Sequence, residues 1–184
     1  STVEEYDPAT DTWTGKAAMP TARKLLSTSV VNDKIYAIGG ATDSKVISTV
    51  EEYNPETDNW SRKTDIPTAR HLLSTNVVNG KIYVVGGTSP SYGDAGGSNV
   101  LQVYDPASNS WSTGANMPTK RQGAMAAAVN NRIYVIGGYS WAIIYDVVEE
   151  YDPATDTWSI RTPIPTAGNF GIAAVMNDKI FVMG

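Results

Sequence analysis

Val50-Glu51-Glu52-Tyr53-Asn54-Pro55-Glu56-Thr57-Asp58-Asn59-Trp60 reads as a β-strand, a tight turn and the opening of a second strand. β-Branched and aromatic residues favour extended backbone, Pro55 presets a turn φ, and the side chains of Asn54 and Asp58 can bond the turn's own backbone. The unit recurs. Tyr6, Tyr53, Tyr104 and Tyr151 are followed seven residues later by Trp13, Trp60, Trp111 and Trp158, with Asp7-Pro8, Asn54-Pro55, Asp105-Pro106 and Asp152-Pro153 between them. The tryptophans lie 47, 51 and 47 residues apart, which marks tandem structural repeats.

Each repeat carries a second hairpin. Two β-rich runs flank Asn32-Asp33, Asn79-Gly80, Asn130-Asn131 or Asn177-Asp178. These residue types tolerate the positive φ that a two-residue hairpin turn demands. The second hairpins end in Gly39-Gly40, Gly86-Gly87 and Gly137-Gly138, and Gly184 stands at the first position of a fourth pair. Paired glycines at a strand end predict positive φ or a close backbone approach that a Cβ would block.

A double glycine, a Tyr and a Trp at these spacings resemble the Kelch repeat, over essentially the whole chain. The resemblance implies an all-β fold, a β-propeller of four-stranded antiparallel blades around a central channel. Residues 1–184 form one domain of four repeats, approximately 1–47, 48–98, 99–146 and 147–184. The first residues then supply strands three and four of a blade, and the last supply strands one and two. Closure within one chain requires the N-terminal pair to join the C-terminal pair. Without it, open sheet edges invite a second chain, a homo-oligomer or a larger propeller.

Composition narrows the partners. The net charge of −5 leaves no excess of cations for phosphates, so nucleic acid and anionic membrane are poor partners. No apolar run reaches the roughly 18 residues of a membrane helix. The chain has no Cys and one His, which excludes disulfides, thiolate sites and any centre needing two imidazoles. No metal, cofactor or catalytic residue is predicted, and no compartment follows. The Tyr-Cys copper centre of Kelch-type oxidases cannot be built from these residues. The pairs Glu4-Glu5, Glu51-Glu52 and Glu149-Glu150 point to opposite sheet faces and read as framework.

In a four-stranded meander both tight turns lie at one end, and the long connections, among them 41–48, 88–98 and 139–146, lie at the other. Loops on a rigid scaffold are the usual place for function. Tyr92, Tyr139, Trp141 and Tyr145 lie outside the repeat positions and in these long loops, so they are candidate contact residues, with packing on a neighbouring loop as the alternative. Arg23, Arg70 and Arg121 each lie three residues past a Pro, and the fourth repeat has Gly168 there. The resemblance places these arginines around the channel mouth, where forked guanidinium groups would hold an anionic or polar ligand. The alternative is that each binds an acid or carbonyl of its own repeat. His71, Gln122 and Asn169, the next residues along, could add polar contacts. The reading is a non-catalytic module that binds a protein or peptide, or a glycan, with the loop-rich face. The competing reading, from sialic-acid-isomerising Kelch propellers, is a sugar- or small-acid-converting enzyme with an arginine-lined pocket.

Overall fold

The computed structural model describes residues 1–89 and 96–184, and its regular elements are all strands. The chain opens with a hairpin, β1 (Val3–Asp7) and β2 (Thr12–Lys16). Blade one follows as β3 (Ser27–Val31), β4 (Lys34–Ile38), β5 (Val50–Asn54) and β6 (Asn59–Lys63). Blade two is β7 (His71–Val78), β8 (Lys81–Thr88), β9 (Leu101–Asp105) and β10 (Ser110–Thr113). Blade three begins with β11 (Met125–Val129) and β12 (Arg132–Ile136). A short projecting hairpin, β13 (Tyr139–Ser140) and β14 (Ile143–Ile144), precedes its outer strands β15 (Val148–Asp152) and β16 (Thr157–Arg161). A last hairpin is β17 (Ile172–Met176) and β18 (Lys179–Met183). Every blade is an antiparallel meander, and the first strand of each packs on the first strand of the next, β3 on β7, β7 on β11 and β11 on β17.

The turns obey the local chemistry. Asn32-Asp33, Asn130-Asn131 and Asn177-Asp178 all have φ between 49° and 59°, and Asn79-Gly80 follows at 50° and 72°. Two successive positive φ values make the turn whose twist matches a hairpin. Asn79, Asn130, Pro153 and Ala154 line one shared hollow, so both kinds of tight turn meet at one end of the blades.

Adjacent blades are joined through the double glycines. Gly40 N–H donates to Arg70 O at 2.8 Å, Gly87 to Arg121 O at 3.1 Å, and Gly138 to Gly168 O at 2.8 Å. A Cβ on Gly137 would stand 2.3 Å from Gly168 O, so the backbones approach as closely as they do only because no side chain intervenes. Between the sheets, Ile38, Val50, Ile66, Ile82 and Tyr104 form one buried cluster, and Val85, Leu101, Met117, Ile133 and Val135 form the next. Each fully buried side chain of this kind contributes about 1.5–3 kcal/mol.

The ladder that closure within one chain would require is not seen. β1–β2 and β17–β18 are separate two-stranded sheets with no ladder between them. Trp60, Trp111 and Trp158 are half-buried between repeats, less than full burial in the framework would give, and Trp13 is 68 % exposed.

Candidate functional site at the loop face

The connection from strand four of one repeat to strand one of the next builds this face. Its Pro-Thr-x-Arg segment turns each Arg back along its own blade instead of out into the channel. Arg121 donates to the carbonyls of Gly137, Val147 and Val135 and forms an ion pair with Glu149 at 2.5 Å, both side chains 0 % exposed. Arg23 donates to Thr49 O and Ala37 O and pairs with Glu51 at 2.9 Å. Arg70 donates to Gly86 O, Val100 O and the Gln102 side-chain oxygen. Thr21 and Thr119 add hydroxyl bonds to the same carboxylates, Glu51 and Glu149, each at 2.7 Å. Burial pushes the Arg23 and Arg121 guanidinium groups below their ordinary value, and the adjoining carboxylates pull them back up. Arg23, Arg70 and Arg121, the expected ligand contacts, thus have their guanidinium groups bonded within their own blades, where they tie strand three to strand two.

Two residues beyond the Arg position the backbone enters the left-handed region. Leu25, Leu72, Gly123 and Phe170 have φ of 58°, 53°, 58° and 55°. Leu72 N–H donates to Leu25 O at 3.1 Å, Gly123 to Leu72 O at 3.0 Å, and Phe170 to Gly123 O at 2.9 Å. A hydrogen-bonded relay thus crosses all four repeats at the channel mouth. Only Gly takes this conformation freely, so Leu25, Leu72 and Phe170 each carry about 1–2 kcal/mol of backbone strain. Strain of this kind gathers at ligand sites.

The relay floors a groove of about 410 Å³ lined by Leu25, Leu26, Leu72, Leu73, Phe170 and Ile172 with Ser27, Ser74, Gly123, Ala124 and Gly171. Among the described residues no charged side chain lines it. Leu25 is 45 % and Phe170 59 % exposed. The Phe170 ring packs on Tyr139, with centroids 5.2 Å apart, and both rings crowd the place where a Gly123 side chain would stand. That accounts for glycine in this one copy of the position.

The predicted aromatics divide. Tyr139 is half-buried at the groove, its N–H donating to Gln122 O and its O accepting from Gln122 N–H. Trp141, 68 % exposed at φ 55°, tops the β13–β14 hairpin beside Ile143 and Ile144, which are 59 % and 51 % exposed. Ser140 Oγ donates to Gly96 O at 2.7 Å and the Trp141 indole lies over Gly96, so the hairpin leans on the connection from blade two. Tyr145 is half-buried, its N–H bonded to Gly138 O. Tyr92 lies outside the described residues. Of the polar neighbours, Gln122 is buried, while His71 begins β7 opposite Thr88 and Asn169 is half-buried. The sequence reading passed over Leu25, Leu72 and Phe170. Their signal was present as apolar residues in one register, two past the Arg position, but side-chain type does not announce a left-handed backbone.

Comparisons agree with this architecture. The solved structure of YjhT superposes with a TM-score of 0.81 at 24 % identity, over 92 % of this chain and 61 % of that one, a likeness of fold. Human Kelch-like protein 5 is 47 % identical over 38 residues, which are 21 % of this chain and 5 % of that protein. Residues 2–184 match the family described as the KLHDC2/KLHL20/DRC7 Kelch-repeats domain. The chain belongs to the Kelch-repeat family.

Proposed function

We propose that this domain is a non-catalytic interaction module that takes an apolar segment of a partner protein or peptide in the groove floored by Leu25, Leu72 and Phe170, with Tyr139 and the Trp141 hairpin as its wall. The observation that carries this reading is the set of strained apolar residues, Leu25 and Phe170 largely exposed, along a groove that no charged side chain of the described residues lines. Exposed aromatic and aliphatic anchors in such a groove supply the contact area that dominates protein recognition. Membership of a family of interaction domains supports the same reading. The alternative, a sugar- or small-acid-converting pocket, requires cations facing the ligand. Arg23, Arg70 and Arg121 are occupied inside the blades, which favours binding over chemistry.

Selection from a library of short random peptides on the immobilised domain tests the proposal. Captured peptides should be rich in aliphatic and aromatic residues, and Trp141→Ala should weaken them by about 2 kcal/mol or more if it is an anchor. Capture of mainly acidic peptides, unaffected by Trp141→Ala and Leu25→Ala, would place the site elsewhere.

A further inference from the structure

Blades one and three share a polar cluster built around one acid. In blade one Tyr36 OH donates to Glu52, its cross-strand partner, and the same carboxylate pairs with Lys63 at 3.1 Å and faces Lys34 at 3.9 Å. In blade three Glu150 lies across from Tyr134 and bonds its hydroxyl. It also accepts from Arg161 at 2.8 and 2.9 Å, with Arg132 3.6 Å away. Each acid therefore sits between a tyrosine hydroxyl and the cation two residues before that tyrosine, on the same face of the strand.

Blade two keeps the tyrosine and the cation, Tyr83 and Lys81, without the acid. Val103 stands opposite Tyr83, and Gly114 holds the place of Lys63 and Arg161. Tyr83 is 7 % exposed, its ring packed on Tyr151 with centroids 6.0 Å apart. Among the described residues its hydroxyl has no acceptor in the place of Glu52 or Glu150. A phenol this deeply buried ordinarily has a hydrogen-bond partner. Burial pushes the Tyr83 hydroxyl above its ordinary pKa, and the Lys81 ammonium, close enough to act on it, pulls the other way.

Tyr83 lines the hollow between the tight turns of blades two and three, a space of about 470 Å³, together with Lys81, Arg132, Asn79, Asn130 and Asn131. The little of Tyr83 that meets solvent does so there. Lys81 holds Asp105 at 3.2 Å, and Arg132 holds Asp152 at 2.6 Å and faces Glu150. An ammonium has three N–H donors and a guanidinium five, so both cations keep donors beyond those pairs. Every residue of the hollow belongs to blades two and three, and both of these four-stranded meanders are complete within the chain.

We infer that this hollow is a carboxylate site, in which an acid from outside the chain bridges the Tyr83 hydroxyl and the Lys81 ammonium, with Arg132 facing it across the blade junction. The incoming group takes the role that Glu52 and Glu150 fill in the sister blades. A small organic acid and an acidic side chain of another protein present the same carboxylate. The site lies at the tight-turn end, away from the apolar groove, so its occupation is independent of any partner held there.

Nitrogen–proton NMR of the 184-residue chain, at constant ionic strength in chloride, tests this with sodium propanoate, which carries the Glu side chain's carboxylate, and with neutral propanamide. Propanoate should shift the backbone amides of residues 79–81 and 130–132 saturably, and propanamide should not. Tyr83→Phe and Lys81→Met should each weaken propanoate by about tenfold or more, the worth of one hydrogen bond to a charged group. Val103→Glu, which supplies the acid from within, should abolish the response. Should that variant fail to fold, Tyr83→Phe, which removes one oxygen only, still decides the matter. A capped neutral peptide with a single Glu separates the two sources: shifts at the same amides point to an acidic side chain of a protein, and their absence beside a propanoate response points to a free acid. Equal response to propanamide, no saturable shift at these amides, or affinity unchanged by Tyr83→Phe would each overturn the site.

Discussion

Arg121→Met tests whether the arginines are framework. The substitution keeps most of the side-chain volume and removes the donors that serve Gly137 O, Val147 O, Val135 O and the Glu149 carboxylate. Both charged side chains are 0 % exposed, so Glu149 would be left as an unpaired charge in the interior. Breaking a buried pair from one side costs about 3–5 kcal/mol. For a chain of this size that is a fall of roughly 6–20 °C in melting temperature. Glu149→Gln is the matched control. Blade two already uses an amide, Gln102, against Arg70, so the site tolerates a neutral acceptor, and the loss should be nearer the 1.5–3 kcal/mol of a charge-assisted bond. Urea and thermal unfolding followed by circular dichroism measure both. If Arg121→Met melts within a few degrees of the parent, or Glu149→Gln costs as much as Arg121→Met, the arginine is not holding the blade together and its role at the mouth must be reopened.

Gly137→Ala should destabilise far more than Gly80→Ala. Both have positive φ, but the new methyl at 137 meets Gly168 O at 2.3 Å and the one at 80 meets nothing within 4 Å, so Gly80→Ala should show only the roughly 1–2 kcal/mol of left-handed strain in thermal unfolding. Asp58 and Asp156 should make stability acid-sensitive. The Tyr53 hydroxyl foremost, then Ala17 N–H, holds the Asp58 carboxyl below its ordinary value, and Ala115 N–H foremost, then Tyr151, does so for Asp156. A folded pKa below the unfolded one, about 3.9, stabilises above that pH and is lost as pH falls through the folded value. Asp58→Asn with Asp156→Asn, imitating Asn109, should flatten melting temperature against pH below about 4, and parallel curves would refute the coupling. Phe170→Gly should separate stability from binding. It relieves a left-handed φ worth about 1–2 kcal/mol and removes a largely exposed ring, so melting temperature should hold while capture of apolar peptides falls.

Much of this molecule is written locally. A Pro-centred turn between Tyr and Trp, an Asn-led pair between β-rich runs and a double glycine each depend on the φ preferences of a few adjacent residues, so the hairpins, their order and the repeat boundaries could be read without knowing what packs on what. The adjacent glutamates were legible as framework for the same reason, since alternation sends Glu51 to Arg23 and Glu52 to Tyr36 on opposite faces. The tertiary structure decided what depends on distance. Arg23, Arg70 and Arg121 had two readings that the sequence could not separate, because a side chain at the mouth can turn outward to solvent or inward along its blade. Carbonyls and a carboxylate some 14 to 28 residues away, as for Arg121 with Val135 and Glu149, draw it inward. The left-handed relay through Leu25, Leu72, Gly123 and Phe170 was invisible for a related reason: leucine and phenylalanine disfavour that backbone on their own, and hydrogen bonds between neighbouring repeats impose it. Which hairpins pair into one blade likewise depends on how successive repeats pack, which no single repeat contains.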